Sequence, residues 1–143
     1  MYKRQRAGHT PLIHVTSNGV GGVCSRALVP GGVAVGWGFE DTQERFEGLL
    51  EERTVTFADG DLFALFTDGI TEAMNEDLDL FGEERLCGLL VGHARSPLEM
   101  LRKRIVDDVA GFVGDADQHD DMTLVLLRVD GSVMAGQPAV DQA

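Results

Sequence analysis

Apolar and polar positions divide the chain into short extended stretches followed by two helical ones. Residues 11–17 (Pro-Leu-Ile-His-Val-Thr-Ser) are rich in branched side chains and end at Asn18-Gly19, a pair suited to a tight hairpin turn, so they predict a strand. A second strand is predicted across 22–29, closed by Pro30-Gly31-Gly32, and a short one over Val33–Val35 before the Gly36-Trp37-Gly38 break. Residues 39–48 are polar and predict no element. From Glu52 to Phe57 the pattern alternates, with Val55 and Phe57 on one face and Thr54 and Thr56 on the other. Ala58-Asp59-Gly60-Asp61 reads as a turn, and Leu62–Phe66 is an unbroken apolar run, the mark of a strand buried on both faces. These last two stretches predict a hairpin that delivers Thr67-Asp68-Gly69 at its end.

The period then changes. A helix is predicted from Gly82, with Leu86, Leu89 and Leu90 on one face. A second opens at Ser96-Pro97-Leu98-Glu99, where Ser96 is read as N-cap, Pro97 as the first helical residue and Glu99 as its capping partner. Leu98, Leu101, Ile105, Val109 and Phe112 recur at helical spacing, and Gly111 and Gly114 bracket its end. The acidic stretch 115–121 predicts a loop, Met122–Val129 a buried final strand, and 131–143 a disordered tail after a domain spanning 1–130. Strands and helices are segregated, so the fold class is α+β with a mainly antiparallel sheet.

Composition narrows the partners. The formal net charge of −12 would repel nucleic-acid phosphates and anionic membranes, so neither is expected as a partner. Cys24 and Cys87 are far apart and form no CxxC pair, which leaves zinc and redox motifs without support. No stretch reaches the ~18 apolar residues of a membrane span. The basic start Met1-Tyr2-Lys3-Arg4-Gln5-Arg6 lacks the apolar stretch of a signal peptide, and a cytoplasmic location is expected.

Two acidic positions stand out by placement. Asp68 follows the apolar run and precedes Gly69, which permits a sharp turn and a close approach of the backbone. Asp120-Asp121 precedes the last predicted strand. Carboxylates at strand ends with no convergent His or Cys favour Mg²⁺ or Mn²⁺ over zinc. Asp-Gly is also a common turn and Asp a common cap, so spacing alone leaves both readings open.

Four blocks extend the picture: Ala7-Gly8-His9-Thr10-Pro11; Gly60 to Ala73, centred on Leu62-Phe63-Ala64-Leu65-Phe66-Thr67-Asp68-Gly69; Leu80-Phe81-Gly82-Glu83-Glu84-Arg85-Leu86; and Asp120-Asp121-Met122-Thr123-Leu124. In identity and order they resemble the SpoIIE-like bacterial branch of the PPM-type (type 2C) serine/threonine protein phosphatases, over about residues 7 to 130. The resemblance implies an antiparallel β-sandwich flanked by helices. It implies that Asp68 and Asp120 bind the same Mn²⁺ or Mg²⁺ ion, within a site that is binuclear when complete. It implies hydrolysis of phosphoserine or phosphothreonine by metal-activated water, on phosphorylated regulatory proteins that control sigma factors. Gly69, Asp121, Glu72 and His9 are candidates for the surroundings of the metal; for Asp121 a turn or a supporting hydrogen bond is preferred, and Glu72 and His9 have helix-start and packing roles as alternatives.

The sequence departs from the family in one respect. The family's upstream Asp-Gly, whose Asp bridges both metals, has no counterpart before Ala7, and Arg6 stands where the family has Asn. The chain is therefore expected to be an N-terminally truncated phosphatase domain holding two ligands of one metal. The alternative is a catalytically incomplete module of the same fold that binds a regulator or forms a homodimer through exposed sheet edges. His14 and His93 are expected to be structural or exposed, His119 an exposed loop residue, Asp61 a shaper of the hairpin entry, and Glu76, Asp77 and Asp79 a solvated loop.

Overall fold

The computed structural model describes residues 2–4, 9–19, 21–32, 34, 48–117 and 120–131. The stretches predicted for Val33–Val35 and for the tail beyond residue 131, together with Trp37 and His119, lie wholly or mainly outside them. Among the described residues six strands are present: β1 (Tyr2–Arg4), β2 (Leu12–Ser17), β3 (Val23–Leu28), β4 (Arg53–Val55), β5 (Leu62–Phe66) and β6 (Leu124–Arg128). Three helices lie between β5 and β6: α1 (Asp68–Thr71), α2 (Gly82–Gly92) and α3 (Leu98–Val113). The architecture is the α+β class expected.

The strands form two sheets, one of β1 and β4, the other in the order β3-β2-β5-β6. All pairings are antiparallel. The β2–β3 hairpin follows the sequence reading: Gly19 has φ 77°, Asn18 N donates to Gly22 O at 3.1 Å, and Gly22 N to Asn18 Oδ1 at 3.0 Å. The hairpin expected between 52–57 and 62–66 does not form. β4 pairs with β1, while β5 pairs with β2 and β6. The turn at 58–61, with Gly60 at φ 83°, instead carries the chain from one sheet to the other. Alternating apolar residues specify a strand face but not its neighbour.

Each face of the larger sheet has its own core. On one, Ile13, Val15, Leu62, Ala64 and Phe66 pack against Leu86 and Leu90 of α2 and Leu101, Ile105 and Val109 of α3. On the other, Leu12 and Leu28 meet Val55 of β4, with Phe63 and Leu65 partly covered. β5 is thus a central strand covered on both sides. β6 is not buried as expected: Leu124 and Leu126 pack inward, but Val125 is 45% and Leu127 52% exposed, because they share the face of Leu65 and Phe63, whose core around Val55 does not extend over β6.

The start of α3 also differs from the capping reading. Leu101 N donates to Pro97 O, which makes Pro97 the N-cap, and no side chain caps the helix. Glu99 pairs instead with Arg102 one turn on. The two long helices are joined by aromatic contacts, with Phe81 edge-on to Phe112 at 5.6 Å and the Arg85 guanidinium 4.3 Å above the Phe112 ring.

Candidate functional site

The central strand ends at Phe66, and three loops converge on that end. Thr67 is extended (φ −91°, ψ 158°), and the chain turns into α1 at Asp68. The register of β5 with β6, which ends at Phe66↔Leu124, brings the segment before β6 alongside. The Thr67 hydroxyl donates to Asp121 O at 3.0 Å and accepts from Thr123 N at 2.9 Å, while Thr67 N donates to Thr123 O at 3.1 Å. Thr67 therefore fastens the Asp68 turn to the Asp120 loop. Gly69 is buried in the same contact: a Cβ there would lie 2.5 Å from Asp121 O. From the third side, Thr10 Oγ1 donates to Phe66 O, placing His9 and Thr10 beside the same strand end. The Thr10 proton being used there, His9 Nδ1 donates in its 3.0 Å contact with Thr10 Oγ1.

Asp68 and Asp120 both lie at this end, and both are exposed. Asp68 Oδ1 accepts from Gly69 N at 3.1 Å, and Asp120 Oδ1 from Asp121 N at 2.7 Å. Asp121 enters the arrangement through its backbone, which receives Thr67 and supports Asp120. Glu72, the C-cap of α1, lines a depression of about 90 Å³ together with Gly69, Met74, Asp117, Asp120 and Met122. Thr67 and Asp117 are the contributors that the sequence reading left without a role. Thr67 lies inside a recognised block but looks like an ordinary strand-end residue, and Asp117 is one acid among several in its loop.

The donors are all oxygens, the kind that Mg²⁺ and Mn²⁺ prefer. Their number is small. Among the described residues no group of three or more His, Cys, Asp or Glu could hold a metal ion. Asp68 and Asp120 are donors of the kind a hard cation takes, and two carboxylates alone would leave most of a six-oxygen shell to be filled by other groups.

A second polar group lies at the opposite end of β5. His14 Nε2 and Asp61 Oδ2 are 2.8 Å apart, and their side chains are 1% and 4% exposed. Arg26 Nε donates to His14 Nδ1 at 3.1 Å, which assigns the ring proton to Nε2, facing Asp61. The imidazole stacks on Phe63 with ring centroids 4.4 Å apart. Burial pushes the Asp61 carboxyl up, but hydrogen bonds from Thr16, the Ala58 amide and His14 outweigh it and leave it below its ordinary value. Asp61 shapes the 58–61 turn through Ala58 N at 2.9 Å, but that turn joins two sheets and is not the hairpin entry expected. His93 caps the end of α2.

Comparisons with known proteins bear on the family and the fold. A family model described as Stage II sporulation protein E (SpoIIE) matches residues 4–130. Among solved structures, the chain is similar to the SiaA-PP2C domain of Pseudomonas aeruginosa, at 25% identity and TM-score 0.68, covering 90% of this chain and 47% of that one. It is similar to the RsbU and RsbW domains of a Mycobacterium tuberculosis protein (22% identity, TM-score 0.64, 88% of this chain, 31% of that one). It is also similar to the Mn-presoaked phosphatase domain of the cell fate determinant SpoIIE from Bacillus subtilis (22%, TM-score 0.51, 95% and 52%). The chain spans about half the length, or less, of these three structures. A comparison with curated protein sequences gives no match.

Proposed function

The chain belongs to the SpoIIE family, and from that premise we propose that it serves metal-dependent hydrolysis of phosphoserine and phosphothreonine in a phosphoprotein. The observation that carries the reading is the fastening of Asp68 to Asp120 through Thr67 and Gly69. In this reading the two carboxylates hold one divalent ion, Mn²⁺ or Mg²⁺, with Glu72, Asp121 and His9 around it. When bound, such ions supply an acidified water and a positive seat for the phosphate oxygens. The chain's own contribution is preorganisation: the Thr67 hydroxyl and the Gly69–Asp121 contact fix where the carboxylates stand before any ligand arrives. The substrate in this reading is a phosphorylated regulatory protein, of the kind that controls sigma factors. The free thiols of Cys24 and Cys87 suit a reducing cytoplasm.

The test is a Mn²⁺ titration by calorimetry, run beside hydrolysis of p-nitrophenyl phosphate. Asp68→Asn and Asp120→Asn should each weaken Mn²⁺ binding by about tenfold or more, in line with the loss of a directly bound carboxylate. Equal Mn²⁺ affinity and equal rates in all three proteins would sink the assignment.

A second reading, a catalytically incomplete module that associates with itself, is favoured by one observation. Among the described residues β6 lies at the sheet edge with Val125 and Leu127 exposed, and a strand of this kind is a template for another strand.

A further inference from the structure

Among the described residues, Leu78 is the one non-glycine with a left-handed backbone, at φ 63°. Its side chain is also 74% exposed, more than any other large apolar residue described. Leucine is sterically disfavoured in that region of backbone space, and an apolar side chain left in water forgoes the stabilisation of burial. Both costs fall on one residue; glycine at the same place would carry neither, and asparagine little of either.

The turn that imposes them is firmly built. Asn75 Oδ1 accepts from Asp77 N at 3.1 Å and Asp79 N at 2.8 Å. Asn75 N donates to Asp79 O at 3.1 Å, and Leu78 N to Asn75 O at 3.0 Å. At its base Met74 and Leu80 form a β-bridge, and Phe81 N donates to Ala73 O at 2.8 Å. Leu78 is therefore held outward by a hydrogen-bonded frame, with Leu80, 53% exposed, beside it. The turn rises from the rim of the candidate site, since Met74 at its base lines the depression that Glu72 and Asp120 share. Glu76, Asp77 and Asp79 around the two leucines are exposed.

We propose that this turn is a docking element for the protein substrate: Leu78 and Leu80 enter an apolar hollow on the partner, and Glu76, Asp77 and Asp79 face lysines or arginines that ring it. Charge selects this occupant, because acids flanking an apolar knob repel an acidic surface and attract a basic one. The place of the turn selects it too, because only a partner large enough to cover the rim touches the knob while presenting a phosphate to the depression. The proposal rests on the phosphatase reading for the identity of the partner, and on the turn alone for the contact.

Leu78→Asn separates the docking role from a structural one, because asparagine tolerates the left-handed conformation and removes the apolar side chain. A random peptide library is selected on the intact chain, and the selected peptides are measured against both proteins. The expected peptides combine Lys or Arg with Leu, Ile or Phe and lose about tenfold or more in affinity for the variant, the size of a hot-spot contact. The unfolding temperature of the variant should be equal to or above that of the natural chain. Failure to select any binder, equal binding by the two proteins, or selection of acidic peptides would each overturn the proposal. A fall in unfolding temperature would overturn it as well, by showing that Leu78 packs within its own chain. Hydrolysis of p-nitrophenyl phosphate by the natural chain with Mn²⁺ bears on the phosphatase reading alone, so the two failures are distinguishable.

Discussion

Asp61 shows what a single residue contributes away from the metal site. Its carboxylate is buried, accepts from Ala58 N and faces the Nε2 of His14, and its pKa lies below the ordinary 3.8. A carboxyl with a lowered folded pKa stabilises fully above its unfolded value, and that contribution is lost as pH falls through the folded one. Asp61→Asn should therefore lower stability at neutral pH by about 2 kcal/mol. The gap between the two proteins should shrink as pH falls below the ordinary 3.8 and through the lower folded value, as measured by urea unfolding at each pH. A gap independent of pH would refute the role given to this carboxylate. The pair was not legible in the sequence, because His14 and Asp61 meet only through the β2–β5 register. Asp68 and Asp120 were legible as candidates because each sits in a recognisable block. The Thr67 hydroxyl that joins their loops was not, since nothing local distinguishes it from any strand-end threonine.

Between elements, the decisive contact is that of the β5–α1 turn with the segment before β6. Gly69→Ala would place a methyl group 2.5 Å from the Asp121 carbonyl oxygen, and the obstacle is backbone, which cannot rotate away. The substitution should cost about 1–3 kcal/mol, as overpacking does, and weaken Mn²⁺ binding by displacing the Asp120 loop. Urea unfolding and calorimetry check the two effects, and unchanged values for both would remove Gly69 from the site. The long helices were legible because a 3.6-residue period repeats within each one: Leu101, Ile105 and Val109 are buried as their spacing predicts. Surface pairs such as Lys103–Asp107 add little to that, about 0.3–0.5 kcal/mol each at most. Strand partners were less legible. The run from Glu52 to Phe66 looks like a hairpin locally, and only the presence of β1 beside β4 and of β2 beside β5 shows why the turn crosses between sheets. The burial of β6 was over-read for a related reason: four apolar residues in a row do not reveal whether both faces of the strand are covered.

For the whole molecule, two opposing terms govern self-association. The edge of β6, exposed among the described residues, favours pairing with a second copy, and the net charge of −12 on each copy opposes it. Salt screens the second far more than the first. The mass by light scattering should therefore be near 15.5 kDa at low ionic strength and rise toward the dimer at about 0.5 M salt. Leu127→Lys should stay monomeric under both conditions. A monomer at high salt, or a dimer unaffected by Leu127→Lys, would count against association through β6. The fold class and the segregation of strands and helices were legible at this scale, because composition and period are sums over many residues and tolerate local errors.

The Thr67 staple joins the end of β5 to the loop before β6, and so ties the carboxylates to the order in which the ribosome delivers the chain. Asp68 is synthesised long before Asp120, with α2 and α3 coming between. The sheet around β2, β3 and β5 and the helices over it can assemble during that interval. The carboxylate pair comes together only when the last strand leaves the exit tunnel and zips onto β5. A chain ending within α3 would keep β2, β3, β5 and α2 and yet lack Asp120, so the Asp68–Asp120 pair depends on a segment made well after the rest of its sheet.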